Sequence, residues 1–222
     1  MHKKLLLITL VGLAACNNPG GSSNLPQPLE LHGTIQNWPA GKTGKLRLRW
    51  IQLLTGSGAY GEVITEPIIT TTDGMFTRTL PTTGIETYLS SSSNDLGNCD
   101  ATVIPNNLKT IIFYELLTSA NGVEVGIVQE SDIPPIDSTT SPPIGSNSIW
   151  YIYSDQIGNI NATCDKNSPT YTYSYNINLQ KGWNAVAYSH TVVGGHTYNA
   201  FTTGKPSSTK WYLQGNLNFD RL

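Results

Sequence analysis

The chain has 222 residues, of which only 13% are charged, and its formal net charge is −2. Its basic residues are spread thinly, apart from Lys45, Arg47 and Arg49 on one stretch. It therefore lacks the concentrated positive patch that nucleic acid or an anionic membrane surface demands. Beyond the first residues it is rich in Thr, Ser, Asn, Gly and Tyr, the chemistry of strands and turns, and it is long enough for one sizeable domain or two small ones.

Residues 1–16 read as a secretory signal. His2, Lys3 and Lys4 are basic, residues 5–13 are apolar apart from Thr9 and Gly12, and small Ala14 and Ala15 precede Cys16. The apolar run falls short of the about 20 residues that span a bilayer. Leu13-Ala14-Ala15-Cys16 resembles a bacterial lipobox. The resemblance implies removal of residues 1–15, a diacylglyceryl thioether on the Cys16 sulfur, and an acylated amine. It places the protein in the cell envelope, lipid-anchored and extracytoplasmic, with the membrane as a partner. Several acyl chains anchor stably where one does not. Asn17 in place of Asp leans the expectation towards the outer membrane. Residues 16–28, with the composition of a flexible linker, cannot bury enough apolar surface to fold. Loss of Lys3 and Lys4 takes the charge to −4.

The body reads as strands throughout, so the expected class is all-β: one or two packed antiparallel β-sandwiches. Residues 29–36 alternate Leu29, Leu31, Gly33 and Ile35 against polar neighbours. Residues 45–54 and 62–65 are strands, and residues 68–72 lead into Asp73-Gly74, a two-residue hairpin signal. Residues 75–80 return, and Pro81 ends them. This arrangement, with TTDGMFTRTLP at its turn, resembles carboxypeptidase-regulatory or transthyretin-like β-sandwich domains over residues 29–81. It implies a structural or binding module and carries no catalytic residues across. Residues 90–107 are loop-rich. Residues 108–117 fit a short helix face or a buried strand. Asn121-Gly122 followed by residues 123–128 favours a hairpin.

The Pro- and Ser-rich residues 130–147 read as a linker or long surface loop. They separate an N-terminal β-sandwich at 29–129 from a C-terminal β-rich region at 148–222, packed on the first. Residues 149–153 are apolar on both faces, as in a central strand. Residues 160–163 follow a Gly158-Asn159 turn. Residues 171–179 give the cleanest period of two, with Tyr171, Tyr173, Tyr175, Ile177 and Leu179 on one face. Lys181-Gly182 turns into residues 183–188, and residues 198–203 and 210–213 add two strands.

Candidate chemistry is sparse. Cys99 and Cys164 form an even pair in an oxidising compartment and read as a disulfide, which would tie the two halves together. His190 and His196 lie in a Gly-rich stretch; they read as loop histidines, with a shared metal as the alternative. His32 reads as a sheet-surface side chain. Asp95, Asn98, Asp100 and Asp165 could offer oxygen ligands to calcium, but their spacing is not that of an EF-hand loop. Glu62, Glu66, Glu115 and Asp155 show no paired-carboxylate pattern. No GxSxG, HExxH or phosphate-loop motif is present. The reading is therefore of a non-enzyme with no cofactor and no metal. It is expected to act as a structural or interaction module of the cell envelope, with envelope proteins or glycans as partners. The alternative is a glycan- or small-ligand-binding surface lipoprotein using Tyr171, Tyr173, Tyr175 and Trp183; a hydrolase ranks below both. Exposure of the tyrosines decides whether that row is a platform or a packed sheet face.

Overall fold

The computed structural model describes residues 28–41, 43–51, 69–91, 99–120, 123–134, 143–165 and 170–214. The lipobox and Cys16, the expected strand at 62–65, Asp95, Asn98, Glu62, Glu66 and the Asn121-Gly122 turn lie outside these residues. The fold is all-β, as expected, with a 3₁₀ turn at Glu86–Tyr88. Among the described residues, no helix is long and apolar enough to cross a membrane.

Among the described residues, fourteen strands run in chain order. They are β1 (Glu30–Gln36), β2 (Thr43–Ile51), β3 (Ile69–Thr72), β4 (Met75–Thr79), β5 (Ser90–Ser91), β6 (Asp100–Ile104) and β7 (Lys109–Ala120). They continue as β8 (Val123–Ser131), β9 (Ser146–Ser154), β10 (Gly158–Asp165), β11 (Tyr171–Leu179), β12 (Gly182–Val193), β13 (His196–Thr203) and β14 (Lys210–Gln214). Pairing is mostly antiparallel; β1–β14 and β11–β13 are parallel.

Two curled units share one wall. In the first, β7, β2, β3, β4, β1, β14 and β8 pair in turn, and β8 pairs back onto β7, closing a ring. Its interior holds Leu31, Ile35, Leu46, Phe76, Val128, Trp211 and Leu213. In the second, β9, β12, β13, β11, β10 and β6 form an open curl around Ile152, Ile160, Ile177, Leu179, Val186 and Phe201. The wall is the β9–β12 pair. Ile149, Tyr151, Tyr153, Trp183 and Ala187 face the first core, while Ile152 and Val186 face the second. A strand buried on both faces must be apolar on both, which explains the run Ile149-Trp150-Tyr151-Ile152-Tyr153.

Strand pairing crosses the Pro/Ser-rich segment in both directions. β6 comes from the first half of the chain and pairs with β10; β14 comes from the second half and inserts between β1 and β8. Glu130 and Ser131 close β8, and Ser146 and Asn147 open β9.

Turn chemistry explains the local geometry. Asp73 and Gly74 both have positive φ, as the tight β3–β4 hairpin requires. The expected Gly158-Asn159 turn is instead the start of β10. Gly158 serves close approach: a Cβ there would lie 2.7 Å from the Ile104 carbonyl oxygen and 2.9 Å from Leu108 Cδ1. Leu108, wholly buried, plugs that end of the second curl.

Cys99 and Cys164 form a disulfide with Cα atoms 4.8 Å apart. Asp100 sits opposite Thr163 in the β6–β10 register, so the two cysteines continue that register by one position. The bridge thus clips a short edge strand across a sequence separation of 65. In the chain-entropy model a loop of that length contributes roughly 4 kcal/mol. Chemical denaturation of the Cys99→Ser/Cys164→Ser chain is expected to show stability lower by roughly 2–4 kcal/mol.

Candidate functional site

Strand register places the tyrosine row in a larger constellation. Tyr171, Tyr173 and Tyr175 lie beside Thr197, Asn199 and Phe201 of β13. Asn199 and Phe201 in turn lie opposite His190 and Tyr188 of β12, and Val186 lies opposite Trp150 of β9. All of these residues share one face of the β9–β12–β13–β11 sheet, the face that carries the second core. That face is graded along the strands. At one end Leu179, Ile177 and Val186 are fully buried; at the other, Tyr171 is 44% exposed and Val192 37% exposed. Tyr173 and Tyr175 are half-buried.

The middle of the face is aromatic. Tyr175 stacks on Phe201 with centroids 4.8 Å apart and planes 3° from parallel. Tyr188 also meets Phe201 at 4.8 Å, and Trp150 sets its ring edge-to-face to Phe201 at 5.0 Å. Beside these rings lies a polar cluster. Asn199 Oδ1 accepts from the Tyr188 hydroxyl at 2.7 Å and lies 2.9 Å from His190 Nδ1. An amide oxygen only accepts, so His190 carries its proton on Nδ1 and turns Nε2 away from Asn199. Asn199 is 2% exposed and holds this pair rigidly. Burial, with Tyr173 and Tyr188 as secondary causes, pushes the Tyr175 hydroxyl up to about 12. Burial and the nearby Tyr173 push Tyr188 to about 12 as well, and Tyr173 is raised by burial and by Tyr171. Tyr175 and Tyr188 both pack on the Phe201 ring, and Tyr173 lies beside Asn199 in the strand register.

Trp183 does not join this row. It lies on the opposite face of β12, 6% exposed, with its ring at 5.3 Å from Tyr153 and its Nε1 donating to the Pro81 carbonyl at 2.8 Å. The odd positions of β12 face the first core, so strand parity excludes it from the tyrosine face.

The expected Gly-rich loop around His190 and His196 is a tight hairpin. Gly194 and Gly195 both have positive φ, and β12 runs on to Val193. The β-branched Thr191-Val192-Val193 run is the sequence signal for that extension. It turns His190 into a strand residue on the tyrosine face. His196 pairs with Val193 and points to the other face, so the two histidines cannot share a metal. On that outer face, the Thr172 hydroxyl donates to Asp165 Oδ1 at 2.7 Å and lies 2.8 Å from His196 Nε2. With its proton given to Asp165, the Thr172 oxygen accepts from the imidazole, so His196 is no base for a threonine nucleophile.

The remaining candidates have ordinary surroundings. His32 is a sheet-surface side chain, 3.5 Å from Glu30 Oε1. Asp155 Oδ1 accepts from the Lys109 backbone N–H at 3.0 Å. The side chains of Asp100 and Glu115 lie outside the described set. Among the described residues no group of three or more His, Cys, Asp or Glu side chains comes together as a metal site would need.

One charged group departs from the sequence expectation. Glu130, at the start of the expected loop, is 1% exposed inside the first ring. Lys205 and Thr209 reach Oε1, at 2.5 and 2.8 Å, and the Tyr151 hydroxyl donates to Oε2. Burial and then Glu130 itself hold the Tyr151 phenol far above its ordinary value. A Glu in a Ser/Pro-rich stretch looks solvated in sequence, and Tyr151, Lys205 and Thr209, all distant in the chain, make its burial tolerable. The network pins residues 205–209 to β8 and β9. No family model, curated protein or solved structure matches the chain.

Two outcomes follow from these surroundings. Glu130→Ala removes the carboxylate to which the buried Tyr151 hydroxyl donates, while Lys205, 42% exposed, turns to water. Urea unfolding is expected to show a loss of about 1–3 kcal/mol, the cost of removing the acceptor of a buried donor. For Tyr175 and Tyr188 the folded pKa lies above the ordinary 10.0. The folded chain then holds two protons that the unfolded chain releases, so their contribution is whole below pH 10 and disappears by about pH 12. Urea midpoints measured across that interval should fall, and the fall should be shallower in Tyr175→Phe/Tyr188→Phe.

Proposed function

We propose that this protein is a lipid-anchored, extracytoplasmic interaction module of a bacterial cell envelope, held through Cys16 and presenting a stable β body. The observation that carries the reading is the order of basic, apolar and small segments ending in Leu13-Ala14-Ala15-Cys16. The Cys99–Cys164 bridge supports the same address, because such bonds persist in oxidising compartments. The resemblance of residues 29–81 to transthyretin-like modules supports a structural or binding role for the first ring. Asn17 supports the outer membrane as the anchoring site.

A second reading, ligand binding, is favoured by one specific observation: the polar cluster of Tyr188, His190 and Asn199 beside packed aromatic rings, with Tyr171 exposed on the same sheet face. Aromatic and apolar surfaces carrying a few placed polar groups are common in ligand sites.

The anchoring proposal is tested by metabolic labelling with a fatty acid in a bacterial host. The wild-type chain should carry label and sediment with membranes, and Cys16→Ala should do neither. A labelled, membrane-bound Cys16→Ala chain would contradict it.

A further inference from the structure

We propose that the Cys99–Cys164 bridge is a redox clasp on β6: its reduction releases that strand while the rest of the body stays folded. The proposal concerns the β body alone and stands whether or not Cys16 carries lipid.

β6 is held weakly by its own side chains. Among the described residues it pairs with one strand, β10, through five residue pairs, from Asp100 opposite Thr163 to Ile104 opposite Asn159. In that register Val103 lies beside Ile160 and Ala101 beside Ala162, the β10 residues that enter the second core. Yet Ala101 and Thr102 are exposed, Val103 is half-buried, and Ile104 is 55% exposed. β11 and β13, by contrast, put Ile177, Leu179 and Phe201 into the same core. A strand that buries so little apolar surface offsets its ordering entropy with its hydrogen-bond ladder and the bridge.

The bridge sits where release begins. Cys99 lies one position beyond the Asp100–Thr163 pair, at the first end of β6. Leu108 follows the other end, wholly buried, and its N–H donates to the Pro105 carbonyl at 3.0 Å. The bridge thus fastens one end of the strand and Leu108 the other. Earlier in the chain, Ser90 and Ser91 pair independently with Thr110 and Lys109 of β7. Breaking the bridge frees the Cys99 end and leaves these anchors in place. Such an opening is local and costs less than global unfolding. It makes β10 a sheet edge, with backbone groups between Asn159 and Thr163 no longer paired to β6.

The chemistry needs a dithiol reductant. Cys164 is 8% exposed and Cys99 is half-buried, so Cys99 Sγ is the more open sulfur. A reductant thiolate attacks it, the S–S bond breaks as a mixed disulfide forms, and Cys164 leaves as a thiolate and takes up a proton. The second reductant thiolate then displaces the Cys99 sulfur, which is protonated in turn. Two electrons pass to the protein pair, and the dithiol leaves as its own disulfide.

The test uses the full chain with Cys16→Ala, in which this pair holds the remaining cysteines. The folded chain is treated with dithiothreitol in the absence of denaturant. Its thiols are titrated, and native-state hydrogen exchange is compared before and after. Both cysteines should titrate. The amides of Thr102 and Val103 should lose roughly a hundredfold or more in protection and approach the rate of an unstructured chain, while the slowest amides of β12 and β13 stay strongly protected. Reoxidation should restore the original pattern. Cys99→Ser/Cys164→Ser should show the released pattern without reductant; reduction of the already folded chain gives the same readout if that variant does not fold. A bridge that resists dithiothreitol until denaturant is added would overturn the proposal. So would a reduced chain in which β6 stays as protected as β12 and β13, or one in which every strand loses protection together.

Discussion

Pairing of β9 with β12 is the constraint on which the rest of the molecule depends. Nine consecutive residue pairs join the two strands, from Gly182 opposite Ser154 to His190 opposite Ser146. Both faces of the ribbon are buried: Ile149 and Val186 each have no measurable exposure, one in each core. The second curl loses two of its strands without it, and the first ring, already closed by the β7–β8 pairing, takes Ile149, Tyr151, Tyr153, Trp183 and Ala187 from it into its core. β7 and β8 also meet this ribbon, through Thr110–Phe113 and Ser131, so the first ring is fastened to it at two places. Asn184 anchors its start, bonding to the backbone of Gln180, Gly182 and Ile152.

The candidate tyrosine face is a consequence of the same ribbon. β12 is longer than its pairing with β9 requires, and the surplus carries Thr191, Val192 and Val193 to the β13 hairpin. This places Tyr188 and His190 next to the tyrosines of β11 across β13, whose Asn199 links them. The aromatic part of that face, Phe201 against Tyr175 and Trp150, is continuous with the second core. Rigid packing below and polar groups above are what a binding surface needs to avoid ordering its own side chains on contact.

Much of this architecture is legible in local sequence pattern. Period-two alternation locates β1 and β11, Asp73-Gly74 locates the β3–β4 hairpin, and the two-sided run at residues 149–153 marks the central strand. The even cysteine pair points to the bridge. What local pattern does not carry is pairing at long range. β6 reads as loop because its neighbours are Asn-, Gly- and Pro-rich, although Thr102, Val103 and Ile104 are strand formers. Glu130 looks solvated because its partners, Lys205 and Thr209, lie far along the chain. Trp183 groups with the tyrosines in sequence because nearness along the chain does not reveal strand parity across a turn. His190 reads as a loop residue because two glycines outweigh the β-branched run before them. Cys16, the residue carrying the proposed location, rests on sequence alone.

The central claim is that the shared ribbon makes the two curls one cooperative unit. Native-state hydrogen exchange of the Ile149→Ala chain tests it most directly, because Ile149 faces only the first core. Such a truncation removes about 2–5 kcal/mol. The account predicts an equal loss of protection at the slowest amides of β1 in the first ring and of β11 and β13 in the second, since both open only by global unfolding. Unchanged protection of β11 and β13, with loss confined to β1 and its neighbours, would contradict it.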